Sequence, residues 1–367
     1  MKRILILVPL VVLSLAGTAG AHQACTFGLF IGDGAAYEQP APHCEGPTDV
    51  VQVQASNSSD ILLTATGEVW TRGDNRAGQL GNGTFTSSAS WVKAAIPAGR
   101  FIVSIGQVRN SSIAIDSKGR VFAWGEGTTG SLCIRTPSTG IALPTEVTSL
   151  APYDIVAESG GGAHSMWLTS LGTVYACGVK GPSGLPESEK GPAETPMQVP
   201  GLAHVVEVQG SGASCAREES GAVYCWGANE QGQIGVGYKS ENVQTPTKVP
   251  LPGPASQIYQ GGDNGSNGSS GAIVENQLYT WGCDTHQNCK TEDHLTPYAT
   301  GLDYGSIAID AQGTFGVDGE ELSAFGNGAH GSLGSGSNAP VPVVTPVPLL
   351  AGSSQVSAVA EAGVLLN

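Results

Sequence analysis

The sequence predicts an all-β chain: a seven-bladed β-propeller of four-stranded blades, its ring closed by pairing N- and C-terminal strands. Three observations carry the prediction. A short segment ending in glycine recurs seven times, at intervals of about fifty residues. A proline-bearing strand follows most copies. The two ends of the chain look like complementary parts of one further unit. Self-similarity at such a period marks a repeat architecture, in which no single unit buries both of its faces.

Five of the seven segments keep a common core: GEVWTRG ending at Gly73, GRVFAWG at Gly125, GTVYACG at Gly178, GAVYCWG at Gly227 and NQLYTWG at Gly282. FGLFIG at Gly32 and EELSAFG at Gly326 are degenerate copies. Upstream of each core lie two apolar stretches joined by a turn, as in VVEVQGSGASCAREESG before Gly227. Downstream comes a Gly-rich turn, as in DNRAGQLGNG after Gly73 and ANEQGQIGVG after Gly227. Then follows a strand with proline: Pro144, Pro196, Pro246, Pro297 and Pro346. Each unit reads as four short strands. Proline has no N–H for a central strand to donate, so this strand is placed at the outer edge of its sheet. FGLFIGDG near the start reads as a third strand without its first two, and VSAVAEAGVLL at the end as two strands without a third. Paired, they make the closing blade and remove the open edges of the array.

The G-x-V-x-x-W-G core, the G-Q-L-G or G-Q-I-G turn and the T-P-x-x-V outer strand resemble the RCC1 repeat family over essentially all of residues 22–367. The copy at Gly178 departs from the family with Cys177 in the tryptophan position, and the copy at Gly282 has CDTHQNC in place of the G-Q-L-G turn. Family members include the nuclear exchange factor for the GTPase Ran, ubiquitin ligases with propeller modules, and a secreted bacterial inhibitor of β-lactamase. The resemblance implies a rigid ring that binds a protein through loops on one face. It does not select among these roles.

Met1-Lys2-Arg3, the apolar run Ile4 to Leu15 and Ala19-Gly20-Ala21 read as a secretory signal peptide over residues 1–21, leaving 22–367 as one propeller domain. The apolar run is shorter than the ~20 residues of a membrane span. A secreted or periplasmic location is therefore expected, with no membrane insertion. Without Lys2 and Arg3 the chain carries 14 basic against 31 acidic residues, a net charge of −17. That balance disfavours binding to nucleic-acid phosphates and to anionic membranes.

Eight cysteines in an oxidising compartment point to disulfides. Cys215 and Cys225 flank the turn at Glu219 to Gly221 and face each other across a hairpin, a pairing that the exported members of the family also imply. Cys25 and Cys44 bracket the closing segment, and Cys133 and Cys177 remain for a bridge between blades. Cys283 and Cys289 admit two readings. One is a disulfide closing a small loop, which the compartment favours. The other is a Cys2His2 zinc site with His286 and His294.

No G-x-S-x-G, H-E-x-x-H or P-loop motif is present, and nothing calls for a cofactor. His164-Ser165 sits where the family commonly has His-Ser in its second strand, which implies a structural role. GGDNGSNGSSG offers Asp263, Asn264 and Asn267 as half of a calcium loop, but Val274 stands where the twelfth-position glutamate belongs, so a flexible insertion is the reading. The expected function is protein binding by a monomer that is not an enzyme, inhibiting or scaffolding an exported enzyme. The alternatives are recognition of a cell surface or polysaccharide, and last a hydrolase or a GTPase exchange factor. The turns after the marker glycines should share one rim. They offer Asp74, Asn75, Arg76, Glu126, Asn229, Glu230, Gln231, Asp284, His286, Asn327 and His330 as contact residues, several of which can instead cap their own turns.

Overall fold

The structure is a computed structural model. It describes residues 24–32, 35–56, 58–127, 129–134, 139–161, 163–179, 183–185, 193–261, 268–283, 294–309, 313–318, 321–326, 341–346, 355–359 and 362–366. The expected signal peptide, Asp263, Asn264, Asn267, Asp284, His286, Cys289, Asn327 and His330 lie outside the described residues.

Seven four-stranded antiparallel sheets are present. Six are continuous in sequence: blade 1 (50–93), blade 2 (102–146), blade 3 (155–198), blade 4 (205–248), blade 5 (255–303) and blade 6 (306–346). Blade 7 has Gln355–Val359 and Ala362–Leu366 inside, with Ala24–Gly32 and Ala35–Cys44 outside. Its two halves pair from Ala24↔Leu366 to Gly28↔Ala362. The first strand of each blade packs on the first strand of the next, and Gln355–Val359 packs on Val50–Ala55. The ring therefore closes.

Burial follows strand order. The second strands, such as Ser59–Thr64, Ser111–Asp116 and His164–Thr169, are buried at every position because a blade covers each face. The outer strands are largely open to solvent, and Pro144, Pro196, Pro246, Pro297 and Pro346 all fall in them. The marker glycines are explained by a turn. Gly73, Gly125, Gly178, Gly227 and Gly282 have φ between 87° and 110°. A Cβ on Gly73 would lie 2.4 Å from the Ser58 carbonyl oxygen, and one on Gly125 equally close to that of Asn110. Only glycine combines that left-handed turn with so close an approach.

The repeat signature joins blades to each other. The Gln79 carbonyl in the turn of blade 1 accepts hydrogen bonds from Trp124 Nε1 (2.9 Å) and Ser112 Oγ (2.9 Å) of blade 2. The Gln233 carbonyl of blade 4 accepts Trp281 Nε1 (2.9 Å) and Ser270 Oγ (2.7 Å) of blade 5. Gly81 and Gly235 lie flat under those indoles, so a Cβ would come within 2.6 and 2.7 Å of the ring. Between blades 2 and 3 the same two places hold Cys133, at φ 55°, and Cys177, and the two are disulfide-bonded with Cα atoms 5.4 Å apart.

Cys215 and Cys225 are register partners and form a second bridge, Cα–Cα 4.1 Å. Cys25 lies opposite Cys44 in the backbone register of the closing hairpin. Cys283 is also disulfide-bonded and His294 stacks on Tyr298 at 4.4 Å, so the structure does not assemble these two as zinc ligands.

Candidate functional site: the rim of the turns

The marker glycine of each blade is paired with the start of its second strand, as in Gly73↔Ser59, Gly125↔Ser111 and Gly178↔His164. The turns that follow therefore emerge at one end of every blade. Asn75 and Asn229 hold equivalent turns together from within. Asn75 Nδ2 donates to Thr84 O (2.9 Å) and Thr86 O (3.0 Å), while its Oδ1 accepts the Leu80 N–H (2.9 Å). Asn229 Nδ2 donates to Tyr238 O (2.9 Å) and its Oδ1 accepts the Ile234 N–H (3.1 Å). Both are fully buried.

Asp74 is buried as well and accepts from Arg76, Gln79 and Ser87. Burial alone would raise its carboxyl, but the hydrogen bonds from Arg76 and Ser87 carry it below the ordinary range. Arg76 is 78% exposed, with its guanidinium folded onto Asp74 through Nε (2.9 Å) and Nη2 (3.0 Å). The expectation that Asp74, Asn75 and Asn229 offer side chains to a partner is thus corrected, because the turn consumes them. Glu230 is exposed. Gln231 is half-buried, its Oε1 accepting the Gly268 N–H (2.7 Å), and half-buried Glu126 accepts from Asn110 Nδ2 (2.8 Å).

Beside the exposed Arg76 and Glu230, the turns leave apolar side chains open. The Gly83 N–H donates to Ala142 O (2.9 Å) and the Gly237 N–H to Leu295 O (2.7 Å), laying each turn against the outer strand of the next blade. Phe85 and Tyr238 follow these turns, and Leu143 and Tyr298 lie on the outer strands that receive them. Each is about half exposed. Sequence reasoning centred on polar turn residues missed them. The signal was present: GNGTF and GVGY each place an aromatic one or two residues after the last turn glycine.

His164 has a structural place. His164 Nε2 and Ser214 Oγ share a 2.7 Å hydrogen bond across blades 3 and 4, fully enclosed, and burial lowers the imidazole to about 4. A neutral, enclosed imidazole has no route to a substrate. Among the described residues, no three His, Cys, Asp or Glu side chains gather as metal ligands.

The regulator of chromosome condensation (RCC1) repeat matches residues 118–168 and 220–264. Each match begins in the turn before a third strand and runs through the Gly-rich turn into the next blade. The solved structure of human WBSCR16 superposes with a TM-score of 0.80 at 18% identity, over 95% of this chain and 99% of that one. Prp20p from Saccharomyces cerevisiae gives 0.80 at 20% identity, over 95% and 92%. The chain is an RCC1-like β-propeller.

Protein pim1 of Schizosaccharomyces pombe is 33% identical to this RCC1-like propeller over 221 residues, 55% of this chain and 41% of pim1. Human E3 ubiquitin-protein ligase HERC2 is 29% identical over 206 residues, 55% of this chain and 4% of HERC2. The match thus spans less than half the length of either relative.

Proposed function

We propose that this propeller is an exported protein-binding module whose partner, an exported enzyme that it inhibits or scaffolds, docks on the rim of the turns. The observation that carries the reading is a set of half-exposed apolar side chains: Phe85 and Tyr238 just after the turns of blades 1 and 4, and Leu143 and Tyr298 on the outer strands those turns lie against. Half-exposed aromatics on a fixed scaffold lose little freedom on binding and suit an interface anchor. Export is supported by the basic-apolar-small pattern of residues 1–21 and by the buried bridges, which persist in oxidising compartments. A second reading comes from the relatives: Prp20p is described with Gsp1p and histones, and yeast RCC1 (Prp20) was solved bound to Kap60. A basic partner would also suit a chain with a net charge of −15.

The test is capture of partners from the native culture medium, with Phe85→Ser/Tyr238→Ser as the control protein. The expected result is a specific exported protein whose affinity drops at least tenfold in the variant, with melting unchanged. Capture that survives the double change, or that maps to the opposite face, overturns the choice of rim. Tight binding to a small GTPase or to histones favours the second reading.

A further inference from the structure

We propose that a groove at the joint of blades 7 and 1, whose lining includes none of the residues assigned to the rim, binds a neutral sugar ring. The groove encloses about 330 Å³ and is lined by Glu45, Gly46, Pro47, Trp70, Ser90 and Trp91. Trp70 and Trp91 are half-buried and pack inward against Val50, Val53, Ala55 and Leu62.

The donors and charges at the groove decide what it accepts. Trp70 Nε1 is committed to Glu68 Oε2 (3.3 Å). Trp91 Nε1 is buried against Gly46, whose Cβ position would lie 2.8 Å away, and it has no hydrogen-bond partner among the described residues. Neither indole N–H reaches the groove, so both rings meet a ligand through carbon surface. A peptide strand needs donors for its carbonyls, and such rings offer none.

The charges are also committed. Arg72 lies 4.9 Å over the Trp91 ring and holds Glu45 (2.7 Å) and Asp60 (2.9 Å), while Lys93 holds Glu68 (2.6 Å). A cationic ligand would find the Trp91 face already occupied by a guanidinium, and an anion would meet Glu45. What fits is uncharged, has one apolar face to lie on an indole, and carries donors for the partly exposed Glu45 carboxylate and the exposed Ser90 hydroxyl. A pyranose has both features: a face of C–H groups and a rim of hydroxyls.

The full chain would be titrated with neutral oligosaccharides of glucose, N-acetylglucosamine and mannose, with a proline-rich peptide and tetramethylammonium alongside. Tryptophan fluorescence and calorimetry give the readout. The expected result is saturable binding of at least one saccharide, weakened at least tenfold by Trp70→Ala and largely retained by Trp70→Phe. Ser90→Ala should weaken it by a smaller factor without changing the melting curve, which keeps the test valid if Trp70→Ala folds poorly. Absence of saccharide binding at millimolar concentration, binding that survives both Trp70→Ala and Ser90→Ala, or preference for the peptide or the cation would each overturn the proposal. Since Phe85 and Tyr238 lie outside the groove, failure here leaves the rim reading to its own test.

Discussion

The joint between blades 4 and 5 and the joint between blades 2 and 3 hold neighbouring sheets together by different chemistry. At the first, an indole lies on Gly235 and donates to the Gln233 carbonyl, Ser270 does the same, and Glu207 accepts the Ile258 N–H (3.2 Å) while bound to Arg217 (2.7 Å). Ser269 Oγ and Gln257 Oε1 of blade 5 are still buried without partners among the described residues, but the groups of the repeat signature itself are paired. At the second, the disulfide Cys133–Cys177 stands in for indole and glycine. Volume is returned nearby: Trp167 is fully buried at a position where blades 2, 4 and 5 carry Ala114, Ala216 and Ala272. Hydrogen bonds are not returned. Ser165 Oγ, Trp167 Nε1 and Glu158 Oε2 are buried without partners among the described residues. Glu158 itself occupies the place of Ile105, Val208 and Ile258, with its carboxyl set over Gly106. A covalent bond here replaces the indole and glycine, but Ser165, at the place of Ser112 and Ser270, loses the carbonyl that those serines reach, so this joint is expected to depend on the redox environment.

The largest effect should come from removing that bond. The bridge closes a sequence separation of 44 residues, against 10 for Cys215–Cys225. The chain-entropy relation gives about 4 kcal/mol for the longer loop and about 3 kcal/mol for the shorter. Denaturant unfolding of Cys133→Ala/Cys177→Ala should therefore show a greater loss than Cys215→Ala/Cys225→Ala, and equal or reversed losses would break the comparison. The triple change Cys133→Gly/Trp167→Ala/Cys177→Trp rebuilds the other kind of joint, and its stability should respond less to reductant than the wild type's does.

An intermediate effect is expected at the joint of blades 4 and 5. Trp281→Phe removes the bond to the Gln233 carbonyl and part of the ring volume, which should cost about 2 kcal/mol. The loss should be the same in oxidised and reduced protein.

The last effect depends on pH. Burial raises the Glu158 carboxyl to about 8. Its proton is held more tightly in the folded than in the unfolded chain, so its contribution is fully present below about pH 4.5 and is lost as pH rises through 8. Glu158→Gln should flatten that decline between pH 5 and 9 in thermal unfolding, relative to wild type. His164, lowered to about 4, acts in the opposite sense: its contribution is present above pH 6.5 and is lost as pH falls through 4, so it leaves the alkaline limb untouched. An unchanged alkaline slope in the variant would show that Glu158 ionises freely.

Much of this was legible in the chain. The marker glycines, the outer prolines and the facing pair Cys215 and Cys225 depend on spacing within one blade, and local backbone geometry enforces each of them. Cys177 in the tryptophan position was visible as a departure, but its meaning was not. That required Cys133, 44 residues earlier, to fall on the place of Gly81 and Gly235 when blade 2 stacks on blade 3. The rim was only partly legible, because polarity does not tell whether a turn asparagine faces solvent or its own backbone.

The sequence by itself determined the number of blades, the strand at each outer edge, the blade shared by the two ends, and the bridge within blade 4. The edge strands and the bridge follow from register and spacing within one blade, and the blade count and the shared blade from counting complete and partial copies of the repeat. Only the tertiary structure decided that Asn75 and Asn229 are spent inside their turns, that Phe85 and Tyr238 stay half exposed beside them, and that Trp70 and Trp91 share a groove with Glu45. These are matters of which surfaces remain uncovered once segments about fifty residues apart are stacked, and contact between such segments leaves no period in the sequence.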